Sequence, residues 1–305
     1  MNAAELIKQE ALRLGLDACG IAKAEAVDTE EISHFQTWIA KGFHGEMSYL
    51  ERNTELRNDP RVLVENARSV IVVALNYYPH THQHPTAPLI ARYAYGMDYH
   101  YVLKEILNNL LLFINQNIAP AQGRCFVDSA PVMESYWAWK AGIGWRGKNH
   151  LLILPHKGSY FFLGELILDL ELTPDSPMSS HCGTCTACQD ACPTSAFLSP
   201  QVMNAQRCIS YQTIENHKET PKEISDLFGN RIYGCDRCQE VCPHNRFATP
   251  HTSENLLPTD ELISMDYQTW INLDKETFKR LFKKSAIQRG GYEKLREQLD
   301  RISGK

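Results

Sequence analysis

The sequence predicts a mixed α/β (α+β) domain at the N-terminus, followed by a cysteine-rich module and a short helical tail. Helical and strand-like patterns alternate through the first 172 residues. The Pro/Ser-rich stretch "TPDSPMSSH" (173–181) then marks a boundary, and eight of the ten cysteines lie between Cys182 and Cys242. The predicted domains are residues 1–176, 177–250 and 251–305.

The N-terminal elements follow from periodicity and capping signals. Residues 3–14 form an amphipathic pattern that Gly15 ends, which predicts a helix. "SVIVVALNYY" (69–78) has the length and β-branching of a buried strand. Asp98 is placed to cap a long helix that runs to about residue 117. The remaining predictions are a strand in "RCFVDSAP", a helix in "MESYWAWKAGIG", and strands in "HLLILP" and "YFFLGELILDLEL".

Composition narrows the class of protein. The net charge of -5 argues against a wholly basic nucleic-acid binder, although residues 270–305 hold ten Lys/Arg against five Asp/Glu. That segment is either an anion-binding patch or a solvated helix face. The first 25 residues lack the apolar core of a signal peptide, and no apolar run approaches the ~20 residues of a membrane span. We therefore expect a cytoplasmic monomer without membrane contact, in which clustered cysteines bind metal rather than form disulfides.

The first cysteine run has the ligand spacing of a two-cluster bacterial ferredoxin. Cys182, Cys185 and Cys188 are separated by two residues each, and Cys192 follows after three more, directly before Pro193. In this pattern the fourth cysteine ligates the other cluster. Zinc sites instead take cysteine pairs spaced well apart. The run therefore favours two [4Fe-4S] clusters over zinc.

The second run repeats the pattern 50 residues later, with Ile232 in place of its first cysteine. Cross-ligation assigns cluster 1 to Cys182, Cys185, Cys188 and Cys242. Cluster 2 then receives Cys192, Cys235 and Cys238 and lacks a fourth ligand. Cys208 in "QRCISYQT" is the unused cysteine of this region, so we predict that it completes cluster 2. Cys19 and Cys125, in the other domain, are interpreted as small apolar residues.

Two neighbouring clusters can transfer electrons from one to the other, and we expect the attached domain to use these electrons to reduce a substrate. This domain contains no G-x-G-x-x-G dinucleotide-binding fingerprint. The stretch "GIGWRGKNH" (142–150) is rich in glycine and basic residues, but it lacks the G-K-[ST] ending of a P-loop. The nearest approach to a cobalamin-binding D-x-H-x-x-G run is Asp98-Tyr99-His100. Asp128, where a strand ends in a turn, is the candidate general acid. An Asx-turn or helix cap before Pro131 is the structural alternative for Asp128.

Long stretches of the chain resemble the epoxyqueuosine reductase family. They are "FQTWIAKGFHGEMSYLERNTELRNDPRVL" (35–63), "ARYAYGMDYHYVLKEIL" (91–107), "VDSAPVMES" (127–135), "AGIGWRGKNHLLI" (141–153), "GSYFFLGELILD" (158–169) and both cysteine runs with "RCISYQTIE". The resemblance implies a cobalamin-dependent enzyme, related to reductive dehalogenases, that reduces the epoxide of epoxyqueuosine at the tRNA wobble position to the alkene of queuosine and water. It also implies base-off cobalamin without a protein histidine ligand, in agreement with the missing D-x-H-x-x-G run.

The resemblance also implies roles for individual residues. Asp128 corresponds to the family's proposed proton donor, a role that a carboxylic acid can fill provided that burial raises its pKa enough to keep it protonated. Cluster 2 is expected nearer the cobalt, because the Cys208 loop also carries a cofactor-site residue. The residues that match positions around the cofactor or the tRNA are Arg57, His150, Ser159, Ser210 and Gln212.

The expected partners are tRNA carrying epoxyqueuosine and an unidentified electron donor. Many family members have a further C-terminal helical-repeat region, whereas this chain stops at Lys305. We therefore expect the basic segment 275–305 to supply the remaining phosphate contacts, with weaker and more salt-sensitive tRNA binding. Two alternatives remain open at this point. One is another corrinoid iron–sulfur reductase, such as a reductive dehalogenase, and the other is an electron-carrier subunit whose N-terminal domain binds no cofactor.

Overall fold

A four-stranded antiparallel sheet organises the N-terminal part of the chain, and short helices dominate the rest. The structure is a computed structural model that describes residues 2–304. The strands are β1 Ala18–Lys23, β2 Ser69–Asn76, β3 Leu89–Ile90, β4 Gly123–Phe126, β5 Trp145–Arg146, β6 Leu152–Ile153, β7 Phe161–Leu168, β8 Phe197–Ser199, β9 Val202–Met203 and β10 Arg231–Tyr233. The helices are α1 Ala3–Arg13, α2 Thr29–Ala40, α3 Thr54–Asn58, α4 Pro60–Leu63, α5 Tyr99–Asn117, α6 Glu134–Lys140, α7 Ala187–Asp190, α8 Ile209–Ile214, α9 Lys222–Ser225, α10 Arg237–Glu240, α11 Asp260–Ser264, α12 Tyr267–Ile271, α13 Lys275–Leu281 and α14 Ile287–Ser303.

The sheet has the order β1-β2-β7-β4, with β2 and β7 in the centre. Successive side chains of a strand point to opposite faces, so β2 contributes to two cores. Ile71 and Val73 pack with α1 and α5 on one face, and Val70 and Val72 pack with α6 on the other. Burial on both faces explains why β2 is apolar throughout rather than alternating.

The predicted elements of this domain are confirmed, with small shifts at their ends. The first helix ends at Arg13, before Gly15, which adopts a positive φ of 91°. Asp98 caps α5, because its side chain accepts a hydrogen bond of 3.1 Å from the backbone N–H of His100. The mixed α/β fold class is therefore correct, with antiparallel pairing throughout the sheet.

A second connection joins distant parts of the sequence. Strand β10, from the cysteine-rich region, pairs in parallel with β3, from the N-terminal region. A third core surrounds this pair and contains Ile90, Ile232, Trp270 and Ile287. Residues from all three predicted domains therefore share one apolar cluster, with the tail packed over the β3–β10 pair. No helix within residues 2–304 has both the length and the apolar content that a membrane crossing requires.

Candidate active site and cysteine module

A cavity of about 470 Å³ opens beside the loop that follows β4. We call it the inner cavity. Its walls are largely aliphatic and aromatic, with contributions from Leu50, Leu152, Phe161 and Leu163. Four of the predicted site residues line it together: Asp128, Arg57, His150 and Ser159.

Arg57 brings a buried positive charge to this cavity. It lies on α3 and is 7% exposed. Its Nη1 donates hydrogen bonds to the carbonyl oxygens of Leu50 at 2.9 Å and Arg52 at 3.0 Å, and its guanidinium lies 5.2 Å from the ring centre of Phe35. These contacts fix the side chain without neutralising its charge. The cavity can therefore accept an anionic or strongly polar ligand group at this wall.

Ser159 connects the inner cavity to the cysteine module. Its backbone N–H donates to Asn245 Oδ1 at 2.7 Å, and Gln239 Nε2 donates to its carbonyl oxygen at 3.0 Å. His150 lies across the cavity and is exposed, with a φ of 67°. Asp128 also has a positive φ, of 54°. Non-glycine residues held in this left-handed region are concentrated at functional sites.

Two neighbouring side chains, Tyr99 and His100, favour the charged form of Asp128. Tyr99 Oη donates to Asp128 Oδ2 at 2.7 Å, and His100 Nε2 lies 3.3 Å from the same oxygen. Burial alone would raise the pKa of Asp128, but hydrogen bonds from His100 and Tyr99 outweigh it and lower the pKa below its usual value. The raised pKa that would keep a resting Asp128 protonated is therefore not found here. The side chain faces the cavity and keeps 55% of its surface exposed.

Two further carboxyl groups lie beneath Asp128. Glu134 Oε1 accepts a hydrogen bond from the backbone N–H of Asp128, and burial together with the Asp128 charge raises the pKa of Glu134 to about 8. Glu165, at the centre of β7, is 0% exposed. Neither of its carboxyl oxygens has a hydrogen-bond partner within residues 2–304, and burial raises its pKa well above the usual value. Both groups are therefore protonated at neutral pH.

Sequence reasoning did not select Tyr99, His100, Glu134 or Glu165 as site residues. A signal for the first two was present, because Asp98-Tyr99-His100 begins the predicted helix and was noted only as an imperfect cobalamin motif. Glu165 gave none, because a polar residue inside an apolar strand normally faces solvent.

The two predicted site residues on α8, Ser210 and Gln212, do not line the inner cavity. Gln212 is 3% exposed, and its side chain donates to the carbonyl oxygen of Gln206. It also accepts hydrogen bonds from Asn216 at 2.6 Å and Thr220 at 2.7 Å, which fixes the loop after α8. The backbone carbonyl of Ser210 accepts a 3.3 Å hydrogen bond from Thr213. The cofactor and tRNA contacts of Ser210 and Gln212 stay predictions.

The eight module cysteines are free thiols that lie in two groups. Burial raises the pKa of Cys188, and so do the charges of three neighbouring thiols, those of Cys242, Cys182 and Cys185. In the second group, burial raises the pKa of Cys238, and so do the charges of Cys208 and Cys235, with a smaller contribution from Cys188 of the first group. Cys192 is the thiol neighbour of Cys208. These are the same two sets that cross-ligation predicts for clusters 1 and 2, and the ligation itself stays a prediction.

The donor chemistry of both sets suits iron–sulfur clusters. No three His, Cys, Asp or Glu groups within residues 2–304 come close enough to share a single metal ion. A four-iron cube instead takes one thiolate at each iron, so its ligands stand further apart. Eight thiols in two sets of four are the number of ligands that two such cubes require.

The second cysteine set reaches the wall of the inner cavity. Tyr77 lines the cavity, and Gln239 Nε2 donates to its hydroxyl at 3.1 Å. Gln239 directly follows Cys238, whose charge acts on Tyr77. The side chains of Gln239 and Tyr77 therefore link this cysteine set to the cavity wall.

A second cavity of about 610 Å³ lies on the other side of the 128–131 loop. We call it the outer cavity. The side chains that give it positive charge come from α5, β4 and the C-terminal segment, and they are His100, Lys104, Arg124, Lys283, Lys284 and Arg289. Asp98 is the acidic residue in its lining. The two cavities share residues 129–131, so a ligand that spans this loop can occupy both.

Comparison with known proteins agrees with this geometry. The family model for a 4Fe-4S double cluster binding domain matches residues 181–245. The model for epoxyqueuosine reductase QueG, DUF1730, matches residues 57–129. The epoxyqueuosine reductase of Cellulophaga algicola is 46% identical over 296 residues, which cover 97% of this chain and 96% of the relative. That of Escherichia coli K12 is 40% identical over 295 residues, which cover 95% of this chain and 77% of the relative.

Solved structures agree as well. Selenomethionine-labelled epoxyqueuosine reductase matches with a TM-score of 0.90 at 30% identity, covering 98% of this chain and 80% of that one. Epoxyqueuosine reductase bound to an epoxyqueuosine-modified tRNA-Tyr stem loop matches with a TM-score of 0.87 at 30% identity and the same coverage. Full-length identity of 40% or more, the double-cluster match and the shared fold lead to one conclusion: the chain belongs to the epoxyqueuosine reductase family of oxidoreductases.

Proposed function

We propose that this chain reduces the epoxide of epoxyqueuosine in tRNA to the alkene of queuosine, with cobalamin in the inner cavity and two [4Fe-4S] clusters as the electron supply. One observation carries the proposal: Asp128, Arg57, His150 and Ser159 converge on one cavity beside the second cysteine set. These are residues that the family resemblance places around cobalamin, and they come from four separate parts of the chain.

The inner cavity has the chemistry that a corrin requires. A corrin is a broad, mainly apolar plane with polar side chains at its edge. Leu152, Phe161 and Leu163 offer an apolar wall, and Arg57 offers a cation that its own hydrogen bonds leave uncompensated. Arg57, His150 and Ser159 would hold the cofactor. When bound, cobalamin supplies a strongly reducing centre for opening the carbon–oxygen bond of the epoxide.

Electrons would enter through cluster 1 and leave through cluster 2. Cys185, a predicted ligand of cluster 1, is exposed, whereas the Cys238 side of the module approaches the inner cavity through Gln239 and Tyr77. These positions place cluster 1 on the surface side of the module and cluster 2 on the side of the cavity. It agrees with the expectation that cluster 2 lies nearer the cofactor.

Asp128 would deliver the proton that the opening epoxide oxygen requires. Its carboxyl faces the inner cavity at the edge of the outer cavity, where a nucleoside that spans the loop would present its reacting ring. An oxygen that develops negative charge takes a proton most readily from an acid within hydrogen-bonding distance. Because the resting carboxyl favours its charged form, Asp128 must receive this proton before it donates it.

The outer cavity suits the tRNA backbone. Its cations come from Lys104, Arg124, Lys283, Lys284 and Arg289. Phosphate contacts position a nucleic acid without reading its sequence, and unpaired loop nucleotides can turn outward into a pocket. The related enzyme that was solved with an epoxyqueuosine-modified stem loop supports this substrate class. We therefore place the anticodon backbone over the outer cavity and the modified base at the inner one.

The test is reduction of epoxyqueuosine in isolated tRNA. Anaerobically purified protein, loaded with cobalamin and given a chemical reductant, should convert epoxyqueuosine-containing tRNA to queuosine tRNA, measured by mass spectrometry of nucleosides. A corrin absorption band should also persist through gel filtration, and its loss would favour an electron-carrier role instead. Asp128→Asn should keep both clusters and cobalamin but lose turnover. Full activity in that variant would remove Asp128 from the reaction.

A further inference from the structure

His100 stands between two carboxylates and between the two cavities. Its Nδ1 lies 2.6 Å from Asp98 Oδ1, and its Nε2 lies 3.3 Å from Asp128 Oδ2. The imidazole is only 13% exposed and belongs to the lining of the outer cavity, whereas Asp128 belongs to that of the inner cavity. The ring is thus placed to pass a proton from one cavity to the other.

The charges around His100 place the proton on the imidazole. Burial lowers the pKa of His100, but hydrogen bonds to Asp128 and Asp98 outweigh it and raise the pKa to about 9. Arg289 on α14 opposes this shift, and Tyr99 donates to the same Asp128 oxygen. The same contacts lower the pKa of Asp128. At neutral pH the pair therefore consists of an imidazolium and a carboxylate.

We propose that His100 is the residue that supplies Asp128 with its proton in each turnover, and that it is itself reloaded from water in the outer cavity. The proposal rests on the proposed function, in which Asp128 protonates the epoxide oxygen. It makes His100 a positioning and proton-supplying residue that faces the outer cavity and does not contact the epoxide.

The proton balance requires such a supply. Reduction of the epoxide consumes two electrons and two protons and releases the oxygen as water. In this proposal Asp128 delivers both protons to that oxygen, so its one carboxyl is protonated twice per turnover. In each round the Nε2–H bond of His100 breaks, Asp128 Oδ2 gains the proton, and the imidazole is left neutral with its Nδ1–H still donated to Asp98. Water in the outer cavity then returns the proton to Nε2, and the electrons come from the clusters.

Arg289 keeps the neutral ring in place. Its Nη1 lies 2.9 Å from His100 Nε2. An imidazolium has no lone pair for this contact, so it donates to Asp128 instead. Once Nε2 has lost its proton, the guanidinium can donate to it. Asp98 therefore holds the ring orientation before and after proton transfer, and Arg289 adds a donor to Nε2 after it.

The first measurement is the pKa of His100 in the cluster-loaded protein, by histidine C2 hydrogen–deuterium exchange and mass spectrometry. It needs no turnover, so it stays informative if the proposed function fails. We expect a value near 9 in the wild type and a clear fall in Asp128→Asn, which removes the acceptor charge. A value near that of a free histidine, unchanged in Asp128→Asn, would overturn the proposal.

The second measurement is turnover of His100→Ala with and without added imidazole. Loss of a proton-transfer group costs roughly a hundredfold to ten-thousandfold in rate. The outer cavity leaves room for free imidazole, which should restore at least about tenfold, in proportion to its protonated fraction. His100→Gln checks that any loss does not come from unfolding, with iron content as the criterion. The matched control is His84→Ala, an exposed histidine outside both cavity linings.

Two results would contradict the proposal. One is a wild-type turnover rate in His100→Ala, and the other is a loss of turnover in both folded variants, His100→Ala and His100→Gln, that added imidazole does not restore in His100→Ala. The second would show that the ring only supports the loop. Failure of the wild-type protein to reduce the epoxide would instead refute the proposed function, while the exchange measurement still reports on His100.

Discussion

Replacement of Cys208 by alanine should remove one cluster and leave the other. Two clusters of four irons give eight irons per chain, and loss of cluster 2 leaves four. The change deletes a single sulfur. The helical turn around it depends on backbone bonds, from Cys208 N–H to the carbonyl oxygen of Ala205 at 2.8 Å and from Gln212 N–H to that of Cys208 at 2.9 Å. The fold should therefore survive the loss of the ligand.

The assay is iron and acid-labile sulfide per chain after anaerobic purification, with the spectrum of the reduced protein as a second readout. Cys125→Ala is the matched control, because this partly buried cysteine packs against the sheet core, away from the module. It should keep eight irons. Retention of eight irons by Cys208→Ala would refute the ligand assignment.

Ile232 offers a complementary control. It occupies the position of the missing cysteine, yet it is 0% exposed and packs with Trp270 and Ile287 in the tail core. Ile232→Val should cost about 0.5–1.5 kcal/mol of unfolding free energy and leave the iron content unchanged. An equal loss of iron in this variant and in Cys208→Ala would mean that general instability, rather than a missing ligand, empties cluster 2.

Two further predictions concern charge. Joint replacement of Lys283 and Lys284 by alanine should weaken tRNA binding and make the slope of log affinity against log salt shallower by about two, because each phosphate contact contributes about 0.9; filter binding across a salt series measures this. Lys279→Ala, an exposed lysine outside the outer cavity, should leave the slope unchanged, and an equal change there would point to non-specific attraction. Glu134→Gln should flatten the pH dependence of stability. The pKa of Glu134 rises from 4.5 to about 8 on folding, so the stabilisation is complete below pH 4.5 and declines as the pH rises to about 8. Urea unfolding at both ends of that range should differ by roughly 4 kcal/mol more in the wild type than in the variant, and equal differences would contradict the raised pKa.

Local pattern predicted the N-terminal elements well. Three features depend only on residues that are adjacent in the sequence. They are the continuous apolar run of β2, the cap at Asp98 and the glycine that ends α1. Cysteine spacing was equally informative, because ligand geometry demands short, fixed intervals. The resemblance selected Asp128 and Arg57, which line the same cavity.

What the sequence could not predict depends on contacts between distant segments. The ionisation of Asp128 is decided by Tyr99 and His100, which precede it by 29 and 28 residues in the chain. The β3–β10 pair joins residues about 140 positions apart and leaves no periodic signal. The outer cavity combines α5 with the C-terminal segment, so the basic tail alone did not reveal where its charge is directed.

The β3–β10 pair also has a kinetic consequence. Domains joined only by a linker reorient on microsecond to millisecond timescales. The rate of electron transfer between two such domains is then limited by how often they come into contact. Here a strand pair and a shared core hold the cysteine module against the N-terminal domain. Asp175, inside the Pro/Ser-rich segment 173–181, is itself fixed by hydrogen bonds from Lys8 and the backbone of Ile21. Internal electron transfer should therefore follow a single first-order rate that does not change with solvent viscosity.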